Sequence, residues 1–533
     1  MITVTPQGQI YICKTPLEND YKNQLTFTNK ENQLNYFNST IQHSFSDYTY
    51  FKKDNIVNVG INIDKIIDCN YLFYRNNGFL DDENNVRIFY CFITGMRYVN
   101  ENCTEIAFET DCFQTWQFDI NYKKCFVERE HVNDDTIGLH TIPEGLELGE
   151  YICVKDKTSV LDDPSDFYIC MAVTELPDES TPPYSNHRVY NGIFGGLYYL
   201  VCKTATDCEN AIKLYDEHSK ANAIVSIFMI PKHLPAIENG VEATWIKDHQ
   251  PFCTVTYIQG TNQESVVDNI NCTMPNKLGK NYSPKNNKLF TAPFSYMVLT
   301  NNSGTSEVFK YEDFDLSQTI NFSVRCSITP GMSIKAIPSR YKNMSSNYNY
   351  GVMGGKLPVC SWNSDVYVNW LTQNGLNTSV GFLGNIFGAI SSAVDKNAGG
   401  VVSGIIGAYN SMHQFTVADM TPNQAKGNTN SGDINFSYNG DGGLSVYYMS
   451  VRDEMAKIID DYFSVYGYKV NSVKIPNITG RQNWNFVKTI DCNFDGDIPQ
   501  SDLNTIKDMF NTGVTLWHSA NNMYNYSLSN NIV

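Results

Sequence analysis

The runs QIYIC (9–13), VNVGINI (57–63), VRIFYCF (86–92) and EIAFE (105–109) decide the fold class of this chain. Each alternates or concentrates β-branched and aromatic residues, and Asn, Asp and Gly clusters separate one from the next. Side chains of that kind suit a pleated, half-buried surface, and such clusters turn the chain, so the first 130 residues read as strands and turns. The polar stretch NDDTIGLHTIPEGLELGE (133–150) follows as a connector, which places a boundary near 150.

Strand patterns resume at Phe167–Val173, Gly196–Cys202, Ile224–Ile230 and Thr254–Ile258, with a helical reading over Ala205–His218. After Gly432 the texture becomes strand, helix, strand, helix. Met455, Ile458, Ile459, Tyr462, Phe463 and Tyr466 lie at helical spacing, and Gly467 supplies a left-handed cap. A second helix is expected to start at Ser501 or Asp502, bury Leu503, Ile506, Met509 and Phe510, and stop before Gly513. The chain is therefore expected to be mainly β within an α+β class, with no repeat of solenoid length.

At 533 residues it is long enough for two to four domains, and 13% aromatic residues can fill their cores. The 39 Lys and Arg against 56 Asp and Glu leave a net charge of -17, which gives no support for a tight grip on nucleic-acid phosphates. Fifteen cysteines occur without a C-x-x-C pair and read as buried thiols. Met1–Ile12 lacks a basic region followed by an apolar one, so synthesis in a cytosol is expected.

One segment departs from a soluble pattern. SVGFLGNIFGAISSAV (379–394) and NAGGVVSGIIGAY (397–409) form two apolar arms around the polar tip Asp395–Lys396. The apolar positions are Phe382, Leu383, Ile386, Phe387, Ile390, Val394, Val401, Val402, Ile405 and Ile406. Gly381, Gly384, Gly388, Gly399, Gly400, Gly404 and Gly407 accompany them. Glycine costs a helix in water ~1 kcal/mol against Ala, whereas small residues let helices pack closely in lipid or against a neighbour. As a helix each arm would span about 24 Å, short of the ~30 Å hydrocarbon layer, so several copies would serve better than one. A buried core hairpin or a Gly-rich linker is the alternative reading.

Catalytic signatures are absent from the sequence: it has no H-E-x-x-H, G-x-S-x-G or phosphate-binding loop. Glu128, Glu130, His131, Asp134 and Asp135 cluster in sequence, but strand neighbours alternate faces, which favours an ion-paired strand end over a metal or acid–base site. Asp491, Asn493, Asp495, Asp497 and Asp502 follow the calcium-loop template around Gly496 and Ile498, with Asp in place of the bidentate Glu. A strand-like run precedes them instead of an entering helix, so an acidic turn capping the next helix is the competing reading. No other cofactor is expected.

NDYKNQLTFTNKENQLNYFNS (19–39), FETDCFQTWQFDI (108–120), VEREHV (127–132), IPEGLELG (142–149), YFSVYGYKVNSVKIPN (462–477) and DCNFDGDIPQSDLNTIKDMFNTGVTLWH (491–518) resemble one family. It is the distal tail tube, or tail knob, protein of short-tailed phages of the Salasmaviridae and Picovirinae type. The likeness covers roughly the first 150 and last 100 residues, while 151–375 carries no matching motif. It implies tail-tube-like β-barrel or sandwich domains built from both chain ends, a β-rich inserted middle domain and an apolar Gly-rich loop. The implied parts are an N-terminal tube domain (1–150), a middle knob domain (151–335), a return to the tube (336–375), a plug loop (376–430) and a C-terminal tube domain (431–533).

The resemblance further implies a non-enzymatic homohexamer in the virion's distal tail, made in the host cytoplasm. Its partners would be its own copies, the upstream tail and collar proteins, the host cytoplasmic membrane and the passing DNA, which is not held tightly. The loop over Val380–Tyr409 would plug the lumen and then form a membrane pore. An adhesin role for residues 151–335 and a wall-degrading tail enzyme are the alternatives.

Overall fold

The computed structural model describes residues 8–48, 55–80, 86–178, 181–185, 189–190, 193–194, 196–260, 264–302, 304–328, 333–356, 359–362, 427–430 and 443–533. The chain divides into two units: residues 1–147, 284–289 and 454–533 form the first, and 148–283 with 290–453 the second.

Two sheets make up most of the first unit. The larger is antiparallel, in the order Ile41–Tyr48, Gly8–Cys13, Tyr71–Leu80, Val86–Asn100, Cys103–Thr110, Ile56–Val59. It contains three of the opening runs whole and Val57–Val59 of the fourth, whose Ile63 instead opens a 3-10 turn, because their alternation gives each strand one face for the core. The second sheet joins the chain ends: Asn23–Leu25 runs parallel to Val514–Trp517, followed by Trp484–Ile490, Cys125–Glu130 and Tyr468–Lys474. Ile12, Leu72 and Cys91 of one sheet share a core with Val127, Val487 and Leu516 of the other, so the unit is a β-sandwich. A second cluster, with Phe37, Tyr71, Phe73, Trp484 and Trp517, again draws on both ends of the chain.

The helix Asp453–Tyr466 has the expected period but a different phase. Its buried residues are Ala456, Ile459, Asp460 and Phe463, while Ile458 is 62% and Tyr466 41% exposed. The phase is set by Asp460, whose carboxylate accepts the backbone N–H groups of Lys285 (2.7 Å) and Asn286 (3.1 Å). An apolar count along the sequence cannot register that polar anchor. Gly467, at φ 64°, ends the helix where a Cβ would stand 2.2 Å from the Glu130 carbonyl oxygen. The helix Gln500–Thr512 buries the four expected residues but begins after Pro499, one residue before Ser501.

Among the described residues the second unit holds four antiparallel sheets, the smallest being Val189–Tyr190 with Ile193–Phe194, and one continuous core. Seven strands run in the order Val241–Lys247, Gln250–Ile258, Tyr198–Cys202, Phe167–Val173, Ile224–Pro231, Val359–Trp362, Gly427–Asn430. Four run Tyr151–Val160, Leu444–Val451, Ser295–Thr300, Ser306–Phe309. The five-stranded sheet runs Ser265–Cys272, Ile320–Cys326, Ser333–Tyr341, Met344–Ser346, with Val352–Lys356 also pairing Ser333–Tyr341. The helix Ala205–Glu217 falls where its pattern predicts, with the Thr204 side chain accepting from the Asp207 N–H at its start.

Strand pairing shifts two expected boundaries. Leu444–Val451 pairs with Tyr151–Val160 and Ser295–Thr300, so residues up to Asp453 belong to the second unit and not to a C-terminal block from 431. Ser333–Tyr341 and Val352–Lys356 likewise stay in the second unit, where the sequence reading has the chain returning to the first at 336.

Candidate functional site

The motif VEREHV (127–132) begins in Cys125–Glu130, an interior strand between Trp484–Ile490 and Tyr468–Lys474 in the sheet that joins the chain ends, and three of its polar residues are shielded. Glu130 and His131 are buried, and Arg129 nearly so. Arg129 donates to the Gly467 carbonyl (2.7 Å) and pairs with Glu144, whose side chain is fully shielded. Lys288, with a side chain 2% exposed, pairs with the other Glu144 oxygen and donates to the Ile142 carbonyl (3.0 Å). The Lys469 N–H donates to Glu144 as well (2.9 Å). Burial pulls the Lys288 ammonium below its ordinary pKa, and the Glu144 carboxylate opposes that shift.

Beside this triad Glu130 pairs with Lys474 and accepts from the Asn477 N–H (2.8 Å). His131 Nδ1 accepts the Phe486 N–H (2.7 Å), which leaves Nε2 to donate to the Ser464 carbonyl (3.1 Å). Burial and then the nearby Arg481 charge push the imidazole down to about 3, so it is neutral. Asp135 accepts from the Tyr468 hydroxyl (2.6 Å) and the Asn287 N–H (3.0 Å). The network thus ties together residues 129–131, the connector 135–144, the excursion 284–289 and the C-terminal segment 467–486. Both histidine nitrogens and both Glu144 oxygens are engaged, so these groups serve as a clamp and not as a proton shuttle.

The motif FETDCFQTWQFDI makes a second set of ties. Asp111 caps the short helix Cys112–Trp116 through the Gln114 N–H (3.0 Å) and accepts from the Tyr71 hydroxyl (2.9 Å). Burial raises its carboxyl to about 7. Gln114 donates to the Leu25 carbonyl (2.8 Å), and Gln33 donates to the Gln114 carbonyl (2.7 Å). Trp116 donates its indole N–H to Asp502 (2.8 Å), while Arg87 stacks on that ring at 4.6 Å and pairs with Asp119 (2.6 Å). The N-terminal motif thereby holds the C-terminal one.

The calcium-like residues are put to structural use in the same unit. Asp495 and Gly496 pair with Asn121 and Ile120, the Asp495 carboxylate meets Lys123, and Asp502 receives Trp116. Asp491 sits in the left-handed region at φ 54°. Among the described residues no three His, Cys, Asp or Glu come together as a metal-holding group. The ten apolar positions and seven glycines of the expected plug loop lie outside the described residues. Among the described residues no helix is long and apolar enough to cross a membrane.

Sequence reading missed an apolar row on the outer face of the joining sheet. Ile490, Phe126 and Val473 are direct cross-strand partners on three adjacent strands, and they are 46%, 36% and 68% exposed. Lys488 and Glu128 pair beside it at 2.9 Å. The signal lay in apolar residues at both phases of these strands, but only the pairing register aligns them into one row.

A sandwich built from both chain ends, interrupted by a separate β-rich unit and closed by buried charge clamps, defines a mainly β protein of two units. Comparison with known proteins specifies it. Residues 256–531, just over half of the chain, match the family model described as the C-terminal domain of tail knob protein gp9 of Bacillus phage phi29. Residues 9–123 match the model described as the N-terminus of the caudoviral major tail protein. The chain belongs to the phage tail knob protein gp9 family.

It is 28% identical to tail knob protein gp9 of Bacillus phage phi29 and 27% identical to that of Bacillus phage PZA, in each case over 98% of both chains. The solved tail knob protein gp12 of bacteriophage C1 shares its fold, with a TM-score of 0.65 at 15% identity over 99% of this chain and 100% of that one. These findings bear out the resemblance read from the motifs and the mainly β fold. The protein is a structural component of the virion's distal tail, made in the host cell.

Proposed function

We propose that this chain assembles as a homohexamer that forms the distal tail tube and conducts the genome, joined to upstream tail proteins. Its apolar loop (Val380–Tyr409) plugs the lumen and enters the host cytoplasmic membrane during DNA ejection. The observation that carries the assembly is the exposed row Ile490–Phe126–Val473, an apolar strip on the sheet that the chain ends build. Apolar surface of this kind is stabilised by removal from water, and a neighbouring copy supplies that cover. The net charge of -17 on each copy favours a conduit along which DNA slides without adhering. The uncharged, Gly-rich arms suit a segment that changes surroundings from packed copies to lipid.

The test is imaging of the purified chain with class averaging down the particle axis. Sixfold rings are expected for the parent chain, and monomers for a Phe126→Glu, Val473→Glu variant. A parent chain that stays monomeric, or rings that survive both charges, would sink the assembly reading. The full chain should also release dye from liposomes, and a chain lacking 379–410 should not. Intact liposomes with both would remove the membrane step and leave the tube.

A further inference from the structure

In an acidic chain, residues 316–364 contain five Lys and Arg and no Asp or Glu. The fold gathers four of these cations on the five-stranded sheet and hairpin of the second unit: Arg325, Lys335, Arg340 and Lys342. Arg325 and Lys335 are direct cross-strand partners, an arrangement in which like charges repel. Both lie 5.4 Å from the ring centre of Tyr348, which is 49% exposed. Among the described residues no carboxylate stands at ion-pair distance from Arg325 or Lys335; Arg325 donates to the Ser323 and Tyr348 hydroxyls, whereas Arg340 donates to the Thr319 carbonyl and its charge acts on Asp315. Such a pair lacks an anion.

The far end of the same strand borders a cavity of about 600 Å³. Its walls carry Arg340, Lys342 and Asn343 opposite Glu312, Asp313 and Asp315. Lys342 donates to the Tyr350 hydroxyl (2.9 Å) and stands 3.9 Å from Asp313. Lys342 and Asn343, at φ 51° and 62°, form the tight turn between Tyr341 and Met344, and Arg340 precedes it in the strand with a left-handed φ of 52°. Cations beside carboxylates suit a ligand that is both anionic and rich in hydroxyls, because phosphate accepts from the former and hydroxyls donate to the latter. A DNA backbone is the poorer fit, since its internal deoxyribose–phosphate units carry no free hydroxyl to donate to these carboxylates. Five residues of strand separate Lys335 from Arg340, roughly 16 Å, which a single phosphate cannot bridge.

We propose that this part of the sheet and its hairpin, from Arg325 and Lys335 to the cavity at Arg340 and Lys342, binds a polyol- or sugar-phosphate chain. Its residues are other than those of the apolar row and the apolar loop, and it gives the distal tail a grip on a phosphorylated surface polymer.

The test uses the purified full chain and a fluorescent phosphodiester-linked glycerol oligomer, followed by polarisation at low salt. Binding is expected, falling as salt rises. The variant Arg325→Gln, Lys335→Gln should weaken it at least tenfold, Lys342→Gln should weaken it less, and Arg325→Lys, Lys335→Arg should retain it. An unchanged thermal midpoint shows that the neutral variants are folded; if they are not, the charge-retaining variant and the salt series decide. Inorganic phosphate and a single-stranded oligodeoxynucleotide of equal phosphate number should compete poorly. No binding of the oligomer, or neutral variants that bind as the parent does, would overturn the proposal. Equal or tighter binding of the oligonucleotide would replace it with a nucleic-acid site.

Discussion

Glu144 is the residue on which the first unit's clamp converges, and its removal tests that role. Its side chain is fully shielded and faces two cations, Arg129 and Lys288, with side chains 10% and 2% exposed. Glu144→Ala leaves both without their shared counter-ion, and breaking a buried pair in this way costs about 3–5 kcal/mol. For a unit of some 150–250 residues, about 2–4 °C per kcal/mol gives a fall in Tm of roughly 6–20 °C.

Lys288 adds a pH signature to that loss. Burial already lowers its pKa and Glu144 opposes the shift, so without Glu144 the depression deepens. A lysine depressed in the folded state binds fewer protons there than in the unfolded chain. The variant's deficit should therefore shrink as pH rises from the depressed folded pKa towards the unfolded value. Adding Lys288→Met should recover part of the loss, because a buried cation is exchanged for an apolar side chain of similar length.

The assay is thermal unfolding followed by tryptophan fluorescence, with Trp116, Trp484 and Trp517 reporting on the first unit. A single variant within 2 °C of the parent, or a double variant no better than the single one, would refute the clamp.

Asp111→Asn keeps a cap at the Cys112–Trp116 helix and removes a carboxyl that burial raises to about 7. A raised carboxyl contributes stability below its unfolded value and loses it as pH rises through the folded one, so the variant should gain on the parent between pH 4 and 7 in urea midpoints. His131 acts in the opposite direction. Its folded value of about 3 predicts a loss of stability as pH falls below 6.5, and titrations of parent and His131→Gln should converge at low pH. Gly467→Ala forces a left-handed alanine and a Cβ 2.2 Å from the Glu130 oxygen, so the loss should exceed the roughly 1–2 kcal/mol that a left-handed alanine alone costs and show as reduced soluble yield. Calcium should leave the Tm within 1 °C, because Asp495 and Asp502 are held by Lys123 and Trp116; a larger rise would restore the calcium reading of 491–502.

Elements whose period and punctuation agree were legible along the chain. Phe167–Val173 forms as read, and the helix Gln500–Thr512 buries the four side chains that its spacing selects. Local sterics and the 2.0 and 3.6 periodicities settle those features before any long-range contact exists. The family, too, was legible, since VEREHV and FETDCFQTWQFDI stand in this sequence as strings. What those strings do was not. Arg129 meets Glu144 and Lys288, and Trp116 meets Asp502, only after strands hundreds of residues apart have paired. The phase of Asp453–Tyr466 depended on Asn286, the row Ile490–Phe126–Val473 on register, and the cation pair Arg325–Lys335 on two strands crossing at one rung. Burial energy and charge pairing act between residues close in space, so local pattern fixes the elements and tertiary pairing alone decides which side chains face each other.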